Sequence, residues 1–173
     1  MERFGRRGEN RMIIREAARI VLLNEQNRLL LFKMEDRLIK SEENPDGRPV
    51  WFTAGGGLEE GETFAAAAKR ELWEETGLVN VDWGPFIWIR EVDLEFKGVP
   101  TRFVEHYRLA YAKGVNIRLD HLTAEEQLGY LTHHWWSVDE LKQTEELVFP
   151  KRLGELLEPI LNGNIPTAPI KIK

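Results

Sequence analysis

The segment from Gly56 to Leu78, GGLEEGETFAAAAKRELWEETGL, constrains this chain more than any other. It holds six carboxylates against two bases, a local charge of −4 within a chain whose formal net charge is −5. Thr63 to Thr76 is rich in Ala and Glu and free of Pro and Gly, which predicts a helix. Gly77 follows where a left-handed C-terminal cap belongs. At about 100° per residue, Ala65, Ala68 and Leu72 form a narrow apolar stripe able to lie on a sheet. Glu71, Glu74 and Glu75 fall beside that stripe over an arc of about 100°. Glu71 stands at i,i+3 from Glu74 and i,i+4 from Glu75, like-charge pairs that each cost a helix about 0.2–0.5 kcal/mol. They also crowd the C-terminal half, the wrong end of the helix dipole for negative charge. Local rules tend to be broken where a site is being built.

A hard divalent cation resolves the conflict. Mg²⁺ takes oxygen ligands, keeps several waters, and shares its coordination between carboxylates and substrate phosphates. Zinc fits poorly, because the chain has no Cys and no His-x-x-x-His or His-Glu-x-x-His pattern. The preceding Ala54-Gly55-Gly56-Gly57 lets backbone approach a ligand closely. A glycine loop, a helix and clustered carboxylates point to metal-assisted cleavage of a phosphate chain.

The same segment resembles, position by position, the signature of the Nudix hydrolases, G-x5-E-x7-R-E-U-x-E-E-x-G-U with U a bulky aliphatic. The fixed residues here are Gly56, Glu62, Arg70, Glu71, Leu72, Glu74, Glu75, Gly77 and Leu78, with none missing. The resemblance covers 23 of 173 residues. It implies an α/β fold, an α/β/α sandwich around a mixed sheet. It also implies attack of water on a phosphorus of a nucleoside diphosphate linked to another group X, with Mg²⁺ (Mn²⁺ as substitute) activating the water and neutralising the phosphates. Glu71, Glu74 and Glu75 match the family's metal ligands, and Gly55 a position whose carbonyl often joins them. Glu62 and Arg70 match a pair that orients the loop and helix.

The general base is open between several carboxylates. Relatives draw it from a later loop or from the box. Here Glu125 and Glu126 stand in a polar stretch ahead of His133, and Glu105 precedes the apolar run Tyr107 to Ala112. A helix capped by Thr123 would use Glu126 in a capping box, a purely structural role.

The remaining sequence predicts one domain. A chain of 173 residues, 42% hydrophobic, can bury a substantial core. Residues 1–12 read as a mobile basic arm, 13–162 as the domain, and 163–173 as an irregular tail. Ala17–Leu23 and Arg28–Lys33 are expected strands around the turn Asn24–Asn27, followed by Val50–Thr53, then Val79–Phe96 and Arg102–Ala112 paired about Lys97-Gly98. Trp135 and Trp136 close the sheet, and Val138–Gln143 and Lys151–Leu161 read as helices. Zero Cys fits a reducing, cytoplasmic setting. No apolar run approaches the roughly 20 residues that span a bilayer, and the start lacks the apolar core of a secretion signal. Overall acidity argues against a nucleic-acid partner. The apolar strands between Val79 and Ala112 offer surface for a homodimer.

Other residues invite a functional reading. Trp51, close to the glycine loop, is a candidate substrate-binding residue, as is Glu105, while Trp73, Trp83 and Trp88 read as core. His133 and His134, adjacent on a strand, point to opposite faces and do not share a metal. Arg90, Arg102 and Arg108 are each able to meet a phosphate. There is no Pro between Phe86 and Val99 and no Tyr between Leu78 and Val104, which weakens an ADP-ribose or dinucleoside-polyphosphate preference and leaves a nucleoside triphosphate or another nucleotide derivative. A non-catalytic nucleotide-sensing domain is the alternative, and a metal-free acidic interaction helix leaves the complete signature unexplained.

Overall fold

The computed structural model describes residues 2–4, 12–35, 39–114 and 116–173. Along the chain run β1 (Glu2–Phe4), β2 (Ile13–Leu23), β3 (Leu29–Met34), β4 (Ile39–Lys40), β5 (Val50–Gly57), α1 (Phe64–Thr76), β6 (Val81–Phe96) and β7 (Val99–Ala112). Then follow α2 (Ala124–Gly129), β8 (Tyr130–Trp136), α3 (Val138–Gln143), β9 (Val148–Phe149), α4 (Leu153–Leu161) and β10 (Ile170–Ile172).

Turn chemistry sets the hairpins. Asn24 Oδ1 accepts the backbone N–H groups of Gln26 and Arg28, and Asn27 adopts φ 57°, so β2 turns back into β3. Lys97 and Gly98 both have positive φ, 52° and 75°, as a two-residue hairpin matched to strand twist requires. The resulting β6–β7 ribbon pairs antiparallel, and β7 lies parallel to β2 from Ile13↔Thr101 to Leu23↔Tyr111. β5 pairs with β2 at its glycine end and with β3 at its start, so the sheet is mixed.

Alternation along the central strands builds two cores. Ile20, Leu22, Leu30 and Ala54 face α1 and pack on its Ala67, Ala68 and Leu72. Val21, Leu23, Leu31 and Leu109 face the other way, against Leu141 of α3 and Leu153, Leu157 and Ile160 of α4. Full burial of each such Leu or Ile contributes about 1.5–3 kcal/mol. Helices therefore cover both faces, the sandwich expected from sequence.

Three expectations change. The tail 163–173 carries a strand, β10, whose Ile172 is buried and which pairs parallel with β6 at Trp88–Arg90. Within the arm 1–12, Glu2–Phe4 pair antiparallel with β2, and 1 and 5–11 lie outside the described residues. Trp73 is 42% exposed and stacks on His121 at 4.0 Å between ring centroids, so it is no core residue.

Candidate active site

α1 begins at Thr63, whose Oγ1 accepts the Ala66 N–H, and ends at Gly77 in the left-handed region, its N–H bonded to the Trp73 carbonyl. This places one helix turn of carboxylates over the glycine end of β5. Two glycines allow the approach. Gly55 adopts φ 136°, and a Cβ there would lie 2.1 Å from the Ala18 carbonyl oxygen. At Gly56 the added atom would lie 2.5 Å from Oε1 of Glu71.

Arg70 ties the loop to the helix. Its Nε and Nη2 donate to the two oxygens of Glu62, both at 2.9 Å, and Nη2 also donates to the Gly57 carbonyl. Nη1 donates to Glu71 Oε1 at 2.7 Å and reaches Glu74 Oε2 at 3.4 Å. This fork is a strong, charge-assisted arrangement. It holds the Glu62 carboxyl below its usual range, chiefly through the Arg70 hydrogen bond, and raises Arg70 itself.

One cation does not neutralise the cluster. Glu71 is 5% exposed, and burial pushes its carboxyl up to about 7 against the pull of Arg70, with Glu74 and Glu126 adding repulsion. Its Oε2 is buried and has no hydrogen-bond partner among the described residues. Burial and then Glu71 raise Glu75 as well, while its Oε2 accepts the Gly55 N–H at 2.6 Å. Buried carboxylates in this state are costly unless a charge balances them.

The structure regroups the carboxylates proposed from sequence. Oxygens of Glu71, Glu74 and Glu126 lie within 4.8 Å of one another. Glu126 arrives from α2 and is held by its capping box, with Oε2 accepting the Thr123 N–H at 2.8 Å. The capping role and a place in the cluster are thus one geometry. Glu125 points elsewhere, its exposed carboxylate 3.8 Å from Lys97 Nζ. Glu75 instead braces the loop through Gly55. The Gly55 carbonyl accepts Arg19 Nη1 at 3.1 Å, which leaves its second lone pair for a cation.

The residues outside the box also resolve. Trp51 is 5% exposed in the core, edge-on to Trp136 and hydrogen-bonded through Nε1 to Glu146. Its neighbour Phe52 lines a cavity in its place, because alternate strand residues face opposite ways. Both oxygens of Glu105 are taken: Oε1 by Arg19 Nε at 3.0 Å, Oε2 by Arg90 Nη1 at 3.1 Å and Tyr107 O–H at 2.8 Å. A carboxylate engaged on every side is a poor base, and Glu105 acts as a counter-ion. Arg102 pairs with Asp93 at the surface, and Arg108 donates to the Gly84 carbonyl beneath Trp83. His133 bonds Tyr130 and His134 approaches Glu140, so neither meets the cluster. Sequence reasoning missed Arg19, because an arginine in an apolar strand gives no local sign of its partners.

Comparison with known proteins agrees with this architecture. The family model for the NUDIX domain matches residues 14–157. The chain belongs to the Nudix family. The phosphatase NudJ of Escherichia coli strain K12 is 46% identical over 44 residues, 25% of this chain and 29% of that protein. The match therefore spans less than a third of that curated relative's length. Among solved structures, a MutT protein from Methanosarcina mazei Go1 superposes with TM-score 0.62 at 18% identity, covering 87% of this chain and 95% of that one. A C. elegans Ap4A hydrolase, in a binary complex, gives TM-score 0.55 at 19% identity, covering 86% and 96%. At these identities the structural likeness speaks for the fold alone.

Proposed function

We propose that the protein is a divalent-cation-dependent pyrophosphohydrolase, with Mg²⁺ held by Glu71 and Glu74, Glu126 facing the cation's water and Glu75 close behind. The observation that carries this is the buried, unpartnered Oε2 of Glu71 within a three-carboxylate cluster. Such an arrangement is unfavourable as built and becomes favourable when a hard cation shares the oxygens. Mn²⁺ fits the same donors. A cation bound there supplies neutralisation of phosphate charge and a water acidic enough to attack at neutral pH.

The chain's own groups do the positioning. Arg70 and Glu62 fix the glycine loop against α1, so the carboxylates are set before substrate arrives. Water attacks one phosphorus, the bond from that phosphorus to the bridging oxygen breaks, and the water's proton passes to a carboxylate. We assign that general base to Glu126, which lies on an exposed helix, pre-oriented by Thr123 and within reach of the other two acids. Glu71, with Oε1 bound to Arg70 and Oε2 buried and unpartnered, is assigned to the cation.

The substrate is a nucleoside diphosphate linked to another moiety, or a nucleoside triphosphate. The complete signature, the acid cluster and the overall negative charge support a small nucleotide over nucleic acid. No described helix is long and apolar enough to cross a membrane, and the absence of Cys fits a reducing, cytoplasmic setting. A panel of nucleoside di- and triphosphate derivatives, assayed with Mg²⁺ or Mn²⁺ and with products identified, tests the reading. Cleavage at a diphosphate bond that Glu74→Gln abolishes supports it. Cation binding with no turnover on any substrate favours a non-catalytic nucleotide sensor.

A further inference from the structure

A cavity of about 1100 Å³ opens between β2, β5, β6, β7 and β9, beside the glycine loop. Its wall carries two guanidiniums, Arg19 and Arg90, around the single carboxylate of Glu105. Arg90 is 8% exposed and Glu105 5%. Two cations share one anion within the trio, the buried Glu75 is the further carboxylate that acts on Arg19, and Arg90 Nε has no hydrogen-bond partner among the described residues. Around the rim, by contrast, charges cancel: Lys151 pairs with Glu43 at 2.8 Å and Lys171 with Glu91 at 3.3 Å. The unpartnered cationic donor thus lies on the wall, on Arg90.

The guanidiniums are also held in place. Arg19 lies over the Phe52 ring at 5.4 Å and Arg90 over Phe149 at 5.7 Å, stacking contacts that keep planar forks oriented. Arg19 continues to the Gly55 carbonyl, while the N–H of Gly55 donates to Glu75. One residue therefore separates the cationic wall from Glu75, which neighbours the carboxylate cluster on α1. A buried cationic donor without a partner costs stability unless an anion approaches it. The cavity lies just above the usual size range of small-molecule sites, large enough for a nucleotide.

We infer that Arg90, together with Arg19, is a specificity-determining pair that binds a phosphate group of the substrate in this cavity, independently of the cation held by the carboxylates. The inference rests on the pyrophosphohydrolase reading and adds the substrate class that the chamber selects: nucleotides presenting a phosphate oxyanion beyond the carboxylate site, over those whose X group is neutral. Glu105 is a positioning residue, aligning both forks without touching the ligand.

The test is calorimetric titration of inorganic pyrophosphate into the full chain in EDTA, for wild type, Arg90→Met, Arg90→Lys and Glu74→Gln, each checked by thermal melting. Wild type binds, Arg90→Met binds at least tenfold more weakly, and Glu74→Gln binds no worse than wild type. Arg90→Lys falls between, since it keeps the charge and loses the bidentate fork. Wild-type affinity in a folded Arg90→Met, or no binding by wild type, overturns the inference. If Arg90→Met does not fold, Arg90→Lys decides, and affinity equal to wild type overturns it. Mn²⁺ titration of the same proteins separates the two readings. Normal Mn²⁺ binding with no Arg90 effect on pyrophosphate removes this inference alone. Absence of Mn²⁺ binding with the Arg90 effect intact removes the hydrolase reading alone.

Discussion

Oε1 of Glu71 occupies the space that a side chain at Gly56 would need, 2.5 Å from where a Cβ would sit. The glycine is therefore a packing requirement of the carboxylate. In Gly56→Ala the Glu71 carboxylate is forced off its Arg70 hydrogen bond, and overpacking costs about 1–3 kcal/mol. The larger effect is expected on Mn²⁺ affinity, at least about tenfold, or roughly 1.4 kcal/mol. Calorimetry on the folded variant checks it, and unchanged affinity would separate Gly56 from the cation site.

Glu125 and Glu126 are neighbours in sequence and divergent in space. Glu126→Gln is expected to lower kcat by about 10²–10⁴, the usual contribution of a general base. Glu125→Gln, facing Lys97, is expected to change kcat little. Equal losses in both variants would mean that α2 contributes only its overall charge.

Arg70 reaches Glu62, Glu71 and the Gly57 carbonyl from one planar group. Lys cannot reproduce that fork. Arg70→Lys is expected to lower Mn²⁺ affinity by about 10–100-fold, as loss of a partner that orients metal ligands does. Retained affinity in a stable Arg70→Lys would show that the carboxylates hold their positions unaided.

Glu105 is the buried counter-ion of two arginines, and removing one member of such a group costs about 3–5 kcal/mol. Urea unfolding of Glu105→Gln should show a loss of that order at neutral pH. Burial raises the Glu105 carboxyl, but Arg19, Arg90 and the Tyr107 hydroxyl more than offset it, and the net shift is downward from 4.5. A depressed carboxyl contributes stability fully above its unfolded-state value and loses it as pH falls through its lower folded-state value. The stability gap between wild type and Glu105→Gln is therefore expected to narrow in acid, below the ordinary carboxylate range. A gap constant with pH would contradict the counter-ion role.

How far the sequence could be read follows from the range of each interaction. The box helix, its Gly77 cap, and the Lys97-Gly98 turn depend on residues a few positions apart, so local rules suffice. The union of Glu126 with Glu71 and Glu74 depends on how α2 packs across the loop, and helical spacing selects Glu75 instead. Trp51 and Phe52 differ only in which face of β5 they occupy, a choice made by pairing with β3. The parallel addition of β10 to β6 involves three residues flanked by Pro169 and the Lys173 end of the chain, too short to register as a strand. Glu105 stands out in sequence as an acid in an apolar run, but its two arginine partners come from other strands.

The most direct test of the cation site is thermal melting of wild type and Glu71→Gln with and without Mn²⁺. At an Mn²⁺ concentration about a hundredfold above its Kd, wild type should gain about 2.7 kcal/mol, or roughly 5–10 °C in melting temperature. Metal-free Glu71→Gln should melt at or above wild type, because the burial cost of this carboxylate outweighs the pull of Arg70, and Mn²⁺ should leave it nearly unmoved. Equal Mn²⁺ shifts in the two proteins, or none in wild type, would contradict a cation site built on these carboxylates.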